Sequence, residues 1–280
     1  MRLYKYLPPT RIDVLRNLRI RFSSPRVLND PFELKPVVTG LAPNAVLLDH
    51  LNEGLNERVV ADYEKLPTHV RALISLDQFQ AKAREFMPNA EQAMLVMAQM
   101  ATPMIQQQLE EKICDVIGIL CLTTSPDNLL MWAHYADAHR GFLIEFDSES
   151  PFFHQQRSEN DEFGYLREVR YQQDRPNMLM SEMEAFHVFL TKGLDWKYEA
   201  EWRMLQPLSS AETVLAGENE AIHLFQFPGH GVTSLILGSR MSEANKLVIQ
   251  EVAQMNKDLN HVSIKQAAIS PNEYKILISD

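Results

Sequence analysis

Cysteine is scarce in this 280-residue chain: only Cys114 and Cys121 occur, and they are not spaced as C-x-x-C. Such usage excludes a disulfide framework and a cysteine-rich zinc site, and predicts a reducing, cytoplasmic location. Glycine is sparse as well, with 10 residues. Neither G-x-G-x-x-G nor G-x-x-x-x-G-K-[ST] is present, so the Rossmann and P-loop devices for cradling phosphate lack their backbone. A nucleophile elbow is also missing, which leaves a serine hydrolase unsupported. No apolar run reaches the roughly 18 residues of a membrane helix. The first residues, MRLYKYLPPT, lack the apolar core of a signal peptide, so no membrane partner is expected. Positive charge is in deficit, at 27 Lys and Arg against 37 Asp and Glu, a net charge of −10. That balance argues against a broad electrostatic surface for nucleic acid. Internal repeats, low-complexity tracts and long linkers are absent.

What is present is an ordinary globular composition, 45% hydrophobic, on a chain long enough to bury a large core. Arg2, Lys5, Arg11, Arg16, Arg19, Arg21 and Arg26 make the first segment basic, with Asp13 the one acid among them. This is either a solvated edge or a phosphate-facing one. Leu3 to Tyr6 reads as a strand ended by Pro8-Pro9, Thr10 as the cap of a helix from Arg11 to about Leu18, and Ile20 to Ser23 as another strand. Asn29-Asp30-Pro31-Phe32-Glu33 reads as a shaped loop, because Pro31 restricts Asp30 to extended conformations. From about residue 42 to 115, Leu, Ala and Met recur at helical spacing, which predicts two to four amphipathic helices inserted between strands. The methionines there suit an irregular core or a partner surface.

Strand signals return at Val116 to Thr123, Gly141 to Phe146 and Phe163 to Gln172. Met178 to Leu190 reads as helix. The tail alternates strands at 222–227, 234–237, 262–266 and 274–278 with a helix from Ser242 to about Leu259, where Ser242 and Glu243 suit the first turn. The expectation is a single α+β domain over residues 1–280 with a helical insertion.

Two segments carry unusual chemistry. The first is CLTTSPDNLLMWAHYADAHRGFLIEFD, Cys121 to Asp147. Its strand ends in Thr123-Thr124-Ser125. Ser125 is a good N-cap and Pro126 a good first helical residue, so a helix is predicted from Pro126 carrying Trp132, His134 and Tyr135. His134 and His139 do not have the i, i+4 spacing of a helical zinc pair, and no metal is expected. His134 reads as a hydrogen-bonded structural or substrate-facing side chain. The second segment is Lys197-Tyr198-Glu199-Ala200-Glu201-Trp202-Arg203. On a strand, Glu199 and Glu201 would share one face. Such carboxylates either stabilise a cationic transition state or pair with Lys197 and Arg203 on a solvated face. On the first strand, Tyr4 and Tyr6 share a face, and Lys5, on the other, is a point charge suited to phosphate.

Taken together, LYKY, FSSPRVLNDPFE, ILCLTTSPDNLLMWAHYADAHRGFLIEFD, VRYQ and WKYEAEWRML resemble the bacterial domain-of-unknown-function family 2971. A more distant resemblance is to ADP-ribosyltransferases, especially bacterial toxins that modify DNA bases. That resemblance implies split mixed β-sheets and three separated motifs. The counterparts are Lys5 within Tyr4-Lys5-Tyr6, Thr124-Ser125 with Tyr135, and Glu201 within Glu199-Ala200-Glu201. Lys5 departs from the His or Arg usual in the first motif, and Arg2 is an imperfectly placed substitute.

The resemblance implies NAD as a substrate, with no metal, in a transferase or glycohydrolase of toxin or phage-defence type. Glu201 would hydrogen-bond the ribose 2′-hydroxyl, Tyr135 or Trp132 would pack on nicotinamide, and Lys5 or Arg21 would hold a phosphate. Asn29, Asp30 or Glu33 would orient an acceptor on nucleic acid or protein. Two other readings stay open. One is a non-catalytic nucleotide- or nucleic-acid-binding module of the same fold. The other is a nuclease-like hydrolase using Glu199, Glu201, Asp30 and His134.

Overall fold

Leu3, Tyr6 and Leu7 are buried along RLYKYL, and this segment forms β1 (Arg2–Leu7) in the interior of an eight-stranded sheet. The computed structural model describes residues 1–279. In chain order the further elements are α1 (Asp13–Asn17), β2 (Arg19–Phe22), β3 (Val37–Gly40), α2 (Asn44–Glu64), α3 (Thr68–Arg71), α4 (Leu76–Arg84) and α5 (Met87–Val116). Then come β4 (Ile117–Thr123), α6 (Leu129–Tyr135), β5 (Phe142–Asp147), β6 (Leu166–Glu168), β7 (Arg170–Gln172), β8 (Asn177–Leu179), α7 (Ala185–Phe189) and β9 (Thr191–Gly193). The chain ends with β10 (Glu201–Pro207), β11 (Thr213–Leu215), β12 (Ile222–Gln226), β13 (Val232–Leu237), α8 (Glu243–Met255), β14 (Ser263–Ile269) and β15 (Ile276–Ser279).

The chain groups into two compact units. One comprises residues 1–35, 112–175 and those from Ala185 onward; the other comprises Pro36–Glu111 and Pro176–Glu184. The first holds the large sheet, in the order β15-β14-β13-β5-β1-β4-β10-β6. Its pairings are antiparallel except β13 with β14, which are parallel. α8 supplies the crossover that a parallel pair requires. The α+β class expected from the sequence is therefore seen, as one large curled mixed sheet. Strand alternation sorts the core into two clusters. Leu3, Leu7, Phe142, Ile144 and Phe146 pack with α1 and α8 residues such as Val14, Leu15 and Ile249. Tyr6 and Leu143 pack with Met131, Trp132 and Ala136 of the α6 region.

In the second unit β3 pairs in parallel with β8. α2 and α4 meet through the rings of Tyr63 and Phe79, 5.7 Å apart. α4 begins in a capping box, Ser75 with Gln78, that satisfies two otherwise unpaired amides.

Several local expectations are corrected. Thr10 lies in a 3₁₀ turn (Pro9–Arg11) and caps nothing; α1 starts after Ile12 with no side-chain cap. The strand expected over 163–172 breaks at buried Val169, whose N–H goes to Glu201 O, so β6 joins β10 while β7 joins β9. The helix expected over 178–190 is β8, a 3₁₀ turn and the short α7. α6 starts at Leu129 rather than Pro126, because the Asn128 side chain accepts from the amides of Leu130 and Met131. Glu199 and Glu201 do not share a strand: Leu194–Glu199 is 3₁₀ helix, Ala200 is left-handed (φ 42°), and β10 begins at Glu201.

Candidate functional site

β1 and β4 are sheet neighbours joined at a single register pair, Tyr4 with Thr123, whereas β1 pairs with β5 along its whole length. Before Thr123, β4 runs apart from β1 and meets Ser23 at Ile119 instead. The seam so opened leaves the Cys121 carbonyl without a strand partner, and Lys5 Nζ donates to it at 2.8 Å. A cavity of about 240 Å³ occupies this seam. Tyr4, Lys5, Asn29, Glu33, Thr123, Tyr135, Lys192, Glu199 and Glu201 all line it.

Its floor is a buried ionic cluster. Lys192 Nζ lies 2.6 Å from Glu199 Oε2, 3.2 Å from Glu201 Oε2 and 3.8 Å from Glu33 Oε2, with the Trp196 ring 4.8 Å away. Arg203, fully buried, donates from Nε to Glu201 Oε1 (2.8 Å), from Nη2 to Glu201 Oε2 (2.9 Å) and from Nη1 to Phe189 O (2.7 Å). It also reaches Glu33 Oε1. Charge-assisted, bidentate contacts of this kind hold a carboxylate in one orientation. Above the cluster, Tyr135 Oη donates to Glu199 Oε1 (2.5 Å) and accepts from Asn29 Nδ2 (2.6 Å). Thr123 Oγ1 donates to Glu199 O (2.5 Å) and accepts from Ser125 N (3.0 Å), and Tyr171 Oη accepts from Glu201 N.

The protonation states follow from burial and charge. Burial raises the Tyr135 phenol, and the hydrogen bond and charge of Glu199 raise it further, so it stays a donor at neutral pH. Burial alone would lower Lys192, but Glu201 and Glu199 outweigh it and hold the ammonium above its ordinary value. Burial raises Glu201 against the pull of Lys192. Burial lowers Lys5 and pushes Arg203 down to about 9, still charged at neutral pH. The Cys121 thiol is raised by burial and by Glu201, so it is not an activated nucleophile.

The structure thus brings together Lys5, Tyr4, Asn29, Glu33, Tyr135, Glu199 and Glu201 from the residues singled out in the sequence. Others lie elsewhere. Trp132 is fully buried behind Tyr6, its Nε1 donating to Pro126 O, and does not line the cavity. His134 is exposed, beside Tyr198 Oη at 3.4 Å. Thr124 is exposed, and Ser125 lies in the turn before α6, its Oγ toward Asp127. Asp30 Oδ1 accepts from Phe32 N and shapes the loop that presents Glu33. Arg21 lies on β2, outside the lining.

Glu199 and Glu201 pair not on a solvated face with Lys197 but in the interior with Lys192. Sequence reasoning missed Lys192 and Thr123. The available signal was a lone lysine two residues after the apolar run Val188-Phe189-Leu190, and a threonine in the last buried position of β4. No group of three His, Cys, Asp or Glu side chains is arranged to hold a metal ion among the described residues. No helix among them is long and apolar enough to cross a membrane.

The fold and site together define a mixed-sheet protein with an ion-paired carboxylate cavity at an opened strand seam. Residues 131–204, which carry Tyr135, Lys192, Glu199, Glu201 and Arg203, match the model of a family described as "Protein of unknown function (DUF2971)". No curated protein and no solved structure matches the chain.

Proposed function

We propose that the seam cavity binds NAD by its nicotinamide–ribose end and that the protein breaks the bond between them. The ADP-ribose is passed to an acceptor or to water. The observation that carries this reading is convergence. Lys5, Tyr135 and Glu201, one from each of three segments far apart in the chain, line one cavity in the chain order that the ADP-ribosyltransferase resemblance requires, while Thr124 and Ser125 stay outside it.

As the C1′–N bond loosens, its electron pair goes to nicotinamide and positive charge develops on the ribose. The carboxylates of Glu199 and Glu201 lie where they oppose that charge. Tyr135 offers a ring wall, and Lys5 offers an ammonium with two donors left after Cys121 O. At about 240 Å³ the cavity is smaller than the roughly 300–1,000 Å³ of sites that enclose a whole drug-sized ligand, so the adenosine end lies outside it.

Incubation with NAD followed by assay of free nicotinamide tests this. Wild type should release nicotinamide, and Glu201→Gln and Glu199→Gln should each lose about 10²-fold or more. Tyr135→Phe should retain folding and lose less. Equal release from wild type and Glu201→Gln would remove Glu201 from the reaction.

One observation favours a second reading, a nucleotide-binding module without turnover. Both Glu201 oxygens are already engaged by Arg203 and Lys192. In that case NAD perturbs the protein, by calorimetry or by tyrosine fluorescence, and no nicotinamide appears with any variant.

A further inference from the structure

Between Phe86 and Leu109 the chain reads FMPNAEQAMLVMAQMATPMIQQQL, in which Glu91 is the one charged residue. α5 carries this stretch from Met87 onward. A helix face built of Met, Val and Ala is normally covered by the rest of the fold. Here one side is covered in part, with Met94, Leu95, Ala98 and Ile105 half-buried. The other is not: Met97 is 67% exposed, Met100 73% and Met104 57%, with Phe86 and Val96 also exposed. Ala93, Met97, Met100 and Met104 recur at alternating spacings of four and three, the stagger of a coiled-coil seam. No apolar side chain of α2, α3, α4 or α5 is fully buried, so these helices gain little of the tertiary packing that normally stabilises helices.

We infer that two copies of this chain pair through the Met97–Met100–Met104 face of α5. The absence of charge selects the partner: nothing on this face matches a partner of opposite sign, whereas a two-fold contact asks only that a patch fit itself. The size sets the strength. Covering this row with Phe86 and Val96 removes at most about 600 Å² from each copy, which suits a dimer that dissociates on dilution rather than a standard stable interface of roughly 800 Å² per partner. Methionine's flexible thioether chain suits such a seam, since it fills irregular gaps between two helices.

Sedimentation velocity of the full chain from about 1 to 100 μM tests the pairing. Wild type should run as a dimer of twice 32.2 kDa that dissociates on dilution. Met97→Lys combined with Met100→Lys should be monomeric, with dimerisation weakened at least about a hundredfold and helicity by circular dichroism unchanged. Met100→Cys probes the same face without added charge. Mild oxidation should give a cross-linked dimer that wild type, with only Cys114 and Cys121, does not form. A wild type that stays monomeric throughout would overturn the proposal, as would a double lysine variant that still dimerises. So would a monomeric wild type that instead cosediments with phosphatidylcholine vesicles, because the face would then belong to a lipid surface.

Discussion

Lys192 sits where three buried carboxylates would otherwise repel one another. Its ammonium contacts Glu199 and Glu201 directly, faces Glu33, and lies 4.8 Å from the centre of the Trp196 ring. Removing one member of a buried ionic set leaves the rest uncompensated, at a typical cost of about 3–5 kcal/mol. Lys192→Met is therefore expected to lower the stability of the fold by that order at pH 7, measured by urea denaturation. Lys192→Arg should recover part of the loss, because a guanidinium keeps the charge but not the compact point geometry. The raised Lys192 value sets the direction with pH. Its stabilisation is complete below the unfolded value near 10.5 and is lost only as pH rises through the higher folded value. The loss caused by Lys192→Met should thus be present across the neutral range and shrink only in strong alkali.

At the scale of elements, the site depends on two short features. One is the turn between β4 and α6. Asn128 caps α6 with two amide contacts, and its Nδ2 donates to Tyr198 O, which ties the helix carrying Tyr135 to the segment carrying Glu199. Asn128→Ala should lower stability by about 1 kcal/mol or somewhat more, since cap loss alone is worth roughly 0.5–2 kcal/mol. Ser125→Ala should be nearly silent in the same thermal-denaturation measurement, because Ser125 Oγ serves only Asp127. The other feature is the left-handed Ala200 between Glu199 and Glu201. It turns the chain out of the 3₁₀ helix and into β10, so the two carboxylates approach Lys192 from different elements. An alternating strand would have set them side by side on one face without that convergence.

At the scale of the whole molecule, the sheet also buries a carboxylate outside the ionic cluster, one strand over from the seam and opposite Tyr4. Glu145 on β5 accepts from Thr233 Oγ1 at 2.9 Å and from Ser234 Oγ, with Arg2 at 3.4 Å and Lys265 at 3.5 Å. Burial works to raise it, but the hydroxyl donors and the two cations prevail and hold it below the ordinary carboxylate value. With the folded value depressed, the unfolded chain binds more protons between the two values, so Glu145 stabilises the fold above about pH 4.5 and that contribution is lost as pH falls through the folded value. An acid titration followed by circular dichroism should show Glu145→Gln less stable than wild type at pH 7, with the gap closing only as the pH falls below the ordinary carboxylate range.

The sequence by itself determined much of the local structure. Alternation in RLYKYL, the apolar run ending at Thr123, the break at Gly141 and the Ser242 cap each depend on a few adjacent residues, and the corresponding strands and α8 are present. The α+β class followed from the mixture of these signals. The boundaries of α6 and of the 178–190 segment did not, because competing caps and strand pairings with distant residues decided them. The partners of Glu201 were decided only by the tertiary structure. Arg203 was legible two residues away, but Lys192, Glu33 and the Asn29–Tyr135 contact were not. Which charges meet in the interior depends on the order in which strands lie side by side, and on the single register pair at which β1 and β4 part. A buried carboxylate takes as partners whatever cations that arrangement brings within hydrogen-bond reach. No local pattern along the chain encodes that choice.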